Sequence, residues 1–259
     1  MTAEALFFDT FGTVVEWRSC VTDALVAALD QALGDPSKNI PAKVRDDALA
    51  LSPSDWLAFA EEWRRSYGVF TSTFDPSNEF ISVDQHHYNA LQDLLTQRGI
   101  RTVFTDDEVW SLALCWHRLD PWPDSVPGLE LLNRKFITAT LSNGNVSLLE
   151  DLQRRGSLPF THLFSAENFG AYKPSPKVYY GAAYQLGLDP GQCTLVAAHL
   201  KDLQAAKGCG FRTIYVEREL EEAWSAEEVA QARKDGFVDI WIDIKAGGFV
   251  EVARRLGIE

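Results

Sequence analysis

The sequence predicts an α/β fold: a Rossmann-like parallel sheet flanked by helices and interrupted by an all-helical insertion. Three observations carry that prediction. Short apolar runs rich in β-formers recur along the chain, and after Phe136 they alternate with helical patterns, the order that βαβ units produce. Between the first run and Phe136 the apolar residues recur at helical spacing alone. The chain has 259 residues, and at about 150 residues per domain that length suits one large domain or a domain carrying an insertion.

Ala5-Leu6-Phe7-Phe8 is the first predicted strand. Helices follow. Val21, Leu25, Ala28, Leu29 and Leu33 share one face, then Trp56, Phe59, Ala60, Trp63 and Tyr67, then His87, Leu91, Leu94 and Leu95. Thr105 with Glu108 has the spacing of a capping box ahead of Val109, Trp110, Leu112, Ala113 and Trp116. Most of these aromatic residues read as core, given their spacing. The helical module is placed at 17–120, leaving 1–16 and 121–259 for the sheet domain. Further strands are expected at 136–141, 162–165, 194–197, 213–216 and 240–242. Ser175 is a good N-cap and Pro176 suits the first helical position, with Val178, Ala182, Ala183 and Leu186 on one face before Gly187. Another helix starts near Asp202 and stops at Gly208 or Gly210.

Composition excludes several classes. Hydrophobic residues make up 46% of the chain and no Gly/Pro/Ser-rich tract appears, so disorder and fibrous repeats are not expected. Lys+Arg number 24 against 37 Asp+Glu, a net charge of −13, with no basic run, which argues against a nucleic-acid binder. An anionic substrate therefore needs a locally positive site. Cys20, Cys115, Cys193 and Cys209 are far apart and lack metal-ligand spacing, so they read as reduced thiols. The first residues lack the basic region of a secretory signal, and no apolar stretch approaches the ~20 residues that span a membrane. A cytoplasmic location and no membrane partner are expected.

Ligands of parallel sheets bind beyond the carboxyl ends of the strands. Read there, the sequence offers Asp9-Thr10-Phe11-Gly12-Thr13, then Ser142-Asn143-Gly144-Asn145, then Lys173-Pro174, then His199 with Asp202 three residues on. Singly, each has an ordinary explanation as a turn, a cap or a solvated side chain. Together, in this order, they resemble the haloacid dehalogenase superfamily: a nucleophilic Asp after the first strand (Asp9), a Ser after the second (Ser142), a Lys before a helix (Lys173) and an acidic fourth motif (Asp202). The helical insertion sits where that superfamily carries its cap domain.

Phosphatases of the superfamily use Mg²⁺ and place a second Asp two residues after the nucleophile as general acid. Here that position is Phe11, and aligning residues 196–202 with the fourth motif puts Ala198 at its metal-binding Asp. The chain is instead similar to the L-2-haloacid dehalogenase (type II) branch, which is metal-independent and has an aromatic residue in place of the second Asp. That resemblance implies no metal, no cofactor and a covalent route. Asp9 attacks C2 of a 2-haloacid, and water hydrolyses the aspartyl ester. Lys173 keeps Asp9 ionised, while Thr10, Phe11, Thr13 and Ser142 bind the substrate. Asn143 and a cap arginine cradle the halide, Tyr179 matches the tyrosine six residues after the Lys, and Asp202 orients or deprotonates water. Arg64, behind Trp63, fits the cap arginine best, with Arg65 and Arg18 as rivals; Arg65 also reads as an i,i+4 partner of Glu61.

The best-known members carry Ser and Asn where this chain has Ala197 and His199. His199 is thus either a group that orients water or acts as base, or a satisfied histidine at a strand end. Ala-Ala-His with a following Asp resembles a subgroup of which some members act on small haloacetates. The expected partner is a small-molecule carboxylate, with a homodimer common in the branch. A phosphohydrolase with a metal on Asp9 and Asp202, or a retained fold without catalysis, are the alternatives.

Overall fold

Four consecutive buried residues make β1 (Ala5–Phe8), a strand covered on both faces as central parallel strands are. Successive side chains point to opposite faces: Phe7 meets Phe164 and Phe211, while Phe8 meets Phe160 and Phe249. A short β2 (Val15–Glu16) follows. The structure, a computed structural model, describes residues 3–75 and 78–258.

No further strand occurs until Asp120 among the described residues. The intervening helices are α1 (Arg18–Gly34), α2 (Ala42–Leu49), α3 (Pro53–Thr73), α4 (Val83–Gln97) and α5 (Asp106–Ala113). The capping box at Thr105 and Glu108 forms, and a second one, Ser52 with Asp55, starts α3. Trp56, Phe59, Ala60 and Trp63 are buried on α3, and His87, Leu91, Leu94 and Leu95 on α4. Each large apolar side chain so buried contributes roughly 1.5–3 kcal/mol. The expected stripes are not buried evenly. On α1 the stripe closes on Ala32, leaving Leu33 and Ala28 half-buried; Trp110 is 40% exposed and meets Tyr88 edge-on.

The second half alternates: β3 (Asp120–Pro121), α6 (Ser125–Leu132), β4 (Ile137–Ser142), α7 (Val146–Gly156), β5 (His162–Ser165), α8 (Pro176–Gln185), β6 (Cys193–Ala197), α9 (Leu200–Gly208), β7 (Arg212–Val216), α10 (Ala226–Asp235), β8 (Ile240–Ile242) and α11 (Gly248–Arg255). The main sheet has the order β5-β4-β1-β6-β7-β8 with every pairing parallel, while β2 and β3 pair antiparallel. Ser175 occupies the N-cap of α8, but its side chain makes no cap hydrogen bond; Pro176 at the first position presets the backbone instead. Asp202 lies inside the first turn of α9 rather than at its cap.

The chain divides into two compact units, residues 3–16, 78–80 and 120–258 around the sheet, and residues 17–75 and 81–119, all helical. Residues 78–80 belong with the sheet although helices flank them, and Phe80 stacks on Tyr172 at 5.0 Å. All four cysteines are free, and no helix among the described residues is long and apolar enough to cross a membrane.

Candidate active site

β1 lies between β4 and β6, so whatever follows Phe8 stands mid-way along the carboxyl edge of the sheet. Asp9 follows, its N–H still donating to Val196 O at 3.1 Å in continuation of the β1–β6 ladder. The chain then turns sharply. Thr10 O accepts from Val14 N and Val15 N, Gly12 N donates to Val15 O, and Gly12 takes φ +77°, which glycine adopts without a side-chain clash. Thr13 Oγ1 donates to Asp9 Oδ2 at 2.9 Å and accepts from Ala198 N at 2.9 Å, tying this turn to the end of β6.

Charged groups from two other loops meet Asp9, and further groups stand behind them. Lys173 Nζ, on the loop before α8, lies 3.0 Å from Asp9 Oδ1 and 2.5 Å from Asp202 Oδ2. Tyr179, one turn into α8, donates its hydroxyl to Asp202 Oδ1 at 2.5 Å. His199 places Nδ1 2.9 Å from Asp9 Oδ2 and Nε2 3.5 Å from Glu221 Oε2. Carboxylates only accept, so both ring nitrogens face groups that favour their protonation.

The electrostatics follow from these contacts. Burial alone would raise the Asp9 carboxyl; the Lys173 charge, then the His199 hydrogen bond and charge, outweigh it and hold Asp9 far below the usual carboxylate range. Burial opposes the Lys173 charge too, and the Asp202 and Asp9 carboxylates overcome it, raising the ammonium above its ordinary value. For His199 burial is again outweighed, here by hydrogen bonds to Asp9 and Glu221, and the imidazole is pushed up to about 9. Burial first, and the charge of Asp202 second, raise Tyr179.

Asn143 grips the backbone of Lys173, its Oδ1 accepting from Lys173 N at 2.7 Å and its Nδ2 donating to Lys173 O at 3.3 Å. Ser142, the buried last residue of β4, accepts from Gly144 N at 3.2 Å. Thr10 Oγ1 is buried without a hydrogen-bond partner among the described residues. Phe11 is buried against the turn after β4: a β-carbon on Gly144 would lie 3.1 Å from its ring. Arg64 belongs to the helical unit, where its guanidinium stacks on Tyr67 at 4.6 Å and lies 6.0 Å from Trp17. Glu61 pairs with Arg18 at 3.3 Å instead of with Arg65, a tertiary partner replacing the local one.

Two buried charged residues of the site escape the strand-end reading. Glu221 and Arg218 lie in the loop after β7, another carboxyl end, in an acidic run that resembles solvated surface. Arg218 Nε donates to Thr13 O at 3.1 Å, and its other nitrogens form a fork onto Asp124 at 2.6 and 2.8 Å. For a metal, Phe11 and Ala198 present only side-chain carbon, and the Lys173 ammonium stands between Asp9 and Asp202. Among the described residues no three His, Cys, Asp or Glu groups are placed to hold an ion.

Residues 3–210 match the family of haloacid dehalogenase-like hydrolases. The (S)-2-haloacid dehalogenase 1 of Pseudomonas sp. (strain CBS-3) is 34% identical over 106 residues, covering 40% of this chain and 47% of that protein, so the chain aligns with about half the length of that relative. The crystal structure of an L-2-haloacid dehalogenase has a TM-score of 0.79 at 31% identity and covers 99% of both chains. A glyceraldehyde 3-phosphate phosphatase of Methanopyrus kandleri is 28% identical over 190 residues, 65% of this chain and 80% of that one. The family match runs from before β1 through α9, taking in Asp9, Ser142, Lys173 and Asp202, and the chain therefore belongs to the haloacid dehalogenase-like hydrolases.

Proposed function

We propose that the protein hydrolyses the carbon–halogen bond of short 2-haloacids, an (S)-2-haloacid or a haloacetate, through an ester on Asp9 and without a metal ion. One observation carries this reading: where a metal-dependent phosphatase of the superfamily places its general acid and a metal-binding Asp, this chain has Phe11 and Ala198, both buried and neither with a polar side-chain atom. A metal-dependent phosphatase uses a divalent cation held by carboxylates to neutralise phosphate charge. Here Asp9 and Asp202 are both paired with Lys173, Ala198 adds no carboxylate to them, and Phe11 stands at the position of the proton donor that a leaving alkoxide would need. Halide leaves without a proton, so this site lacks nothing for its departure.

Asp9, held ionised by Lys173 and His199, attacks C2 of the substrate; the carbon–halogen bond breaks and halide departs with its electron pair. Ser142 accepts from Gly144 N and keeps its own O–H for the substrate carboxylate. Thr10 Oγ1 is a further buried hydroxyl with hydrogen-bonding capacity to spare. The turn at Phe11 supplies backbone amides, and Thr13 fixes the Asp9 rotamer. Asn143 holds the Lys173 backbone and keeps its second Nδ2 hydrogen for the departing halide, while Tyr179 acts through the Asp202 carboxylate. Residues 17–75 and 81–119 form the cap, and Arg64 is its halide-binding arginine. Water then attacks Cγ of the ester. Both Asp202 oxygens are engaged by Lys173 and Tyr179, which leaves His199 as the base in direct contact with Asp9.

The test is halide release from chloroacetate and (S)-2-chloropropionate with a chelator present, beside Asp9→Asn. Chelator-resistant release that disappears in the variant is the expected result. No halide, with Mg²⁺-dependent phosphate release from a simple ester, would establish the phosphohydrolase alternative instead.

A further inference from the structure

Glu221 stands across His199 from Asp9, and three separate features hold it there. A β-carbon on Gly12 would fall 1.9 Å from Glu221 Oε2, so the carboxyl fills the space that the glycine leaves open. The residue is 8% exposed, and a carboxyl withdrawn from water needs a partner, which His199 Nε2 provides at 3.5 Å. Leu220 before it takes φ +61°, a strained conformation for a branched residue, yet is 71% exposed and gains no burial in return. Glu221 leaves the chain directly after this left-handed residue and is itself buried.

We propose that Glu221 is a positioning residue for ester hydrolysis: it retains the Nε2 proton of His199, so that the ring presents a bare Nδ1 to the attacking water once Asp9 has become an ester. This role rests on the aspartyl-ester reading of the site. The groups facing the ring are Asp9, with Lys173 and Asp202 behind it, and Glu221; the neighbouring Glu222 turns away to accept from Leu200 N. While Asp9 is a carboxylate, the ring stays doubly protonated, in keeping with its elevated proton affinity. Alkylation removes the Asp9 charge but leaves Lys173 cationic, and Nδ1 loses its proton to solvent through a side chain that is 25% exposed. Glu221 fixes the surviving tautomer with hydrogen on Nε2, as carboxylates do for catalytic histidines.

The protons balance. The water oxygen bonds to Cγ, and one water proton passes through Nδ1 to the alkoxide that leaves as the hydroxyacid. The other leaves the regenerated Asp9 carboxyl for Nδ1, restoring the ion pair. The single proton that the overall hydrolysis releases is the one His199 gives up after halide departs.

Two measurements on the full chain test this. In Glu221→Gln, halide release should keep a one-equivalent burst while steady-state hydroxyacid formation falls between about 10- and 100-fold, with the Asp9 ester accumulating by mass spectrometry. Unchanged turnover, or a burst lost together with turnover, would overturn the role. The second measurement needs neither turnover nor that variant's folding. NMR of the imidazole nitrogens should find His199 doubly protonated at neutral pH in the wild type. In Asp9→Asn, which mimics the uncharged ester, it should be neutral with hydrogen on Nε2. A ring that stays doubly protonated in Asp9→Asn, or a neutral ring protonated on Nδ1, would refute it. A wild type that releases no halide sinks the hydrolase reading, whereas the NMR result bears on the Glu221 contact alone.

Discussion

Gly12→Ala probes the packing on which the site depends. The new β-carbon would lie 1.9 Å from Glu221 Oε2 and 2.5 Å from its Cδ, and the backbone there has φ +77°. The left-handed conformation costs alanine about 1–2 kcal/mol. Forcing a buried carboxyl aside adds about 1–3 kcal/mol of overpacking, for a total of about 2–5 kcal/mol. In a Glu221→Ala background the clash is gone and only the backbone cost remains. A double-mutant cycle by urea denaturation should therefore show a coupling of about 1–3 kcal/mol between the two positions. If Gly12→Ala costs the same in both backgrounds, Glu221 does not occupy the glycine's vacant face, and the account of how the carboxyl reaches His199 fails.

Other perturbations read other parts of the site. Lys173→Met strands Asp9 and Asp202, and breaking a buried ion pair costs about 3–5 kcal/mol at neutral pH; acidification should restore part of it as a buried carboxyl takes up a proton. A denaturation midpoint that is equal to wild type at neutral pH would contradict the bridging geometry. For His199 the folded value near 9 exceeds the ordinary 6.5. Its stabilisation is therefore complete below pH 6.5 and lost as pH rises toward about 9, by at most about 3 kcal/mol. His199→Asn should flatten that slope in chemical denaturation, and an unchanged slope would place the titration elsewhere. Arg64→Gln should slow halide release roughly 100-fold, the loss typical of one charge-stabilising donor, while Arg65→Gln should leave it near wild type; the reverse result would move the halide contact to Arg65.

The core was legible because its signals are local. β1 is apolar at every position since both its faces are covered, and Asp9, Ser142, Lys173 and Asp202 reach one edge because parallel topology brings strand ends together. What escaped depends on distant partners. The helix α2 carries only Ala48 as a buried residue, too little to mark a face. Trp110 keeps helical spacing with its neighbours yet points to solvent, because an eight-residue helix does not define the width of its stripe. Glu61 pairs not with Arg65 but with Arg18, which lies 43 residues from Glu61 in sequence. Glu221 looks like one more acid in a charged loop until the absent side chain of Gly12, more than two hundred residues earlier, is seen to make room for it.

The central claim is that Asp9 itself becomes esterified. A single turnover of (S)-2-chloropropionate by excess protein in heavy-oxygen water tests it most directly, by mass spectrometry of both product and protein. The mechanism requires the hydroxyacid to carry an ordinary oxygen taken from Asp9, with the heavy atom appearing in the Asp9 carboxylate. Heavy oxygen in the product of that first turnover, with Asp9 unlabelled, would mean that water attacks the substrate directly and that no aspartyl ester forms.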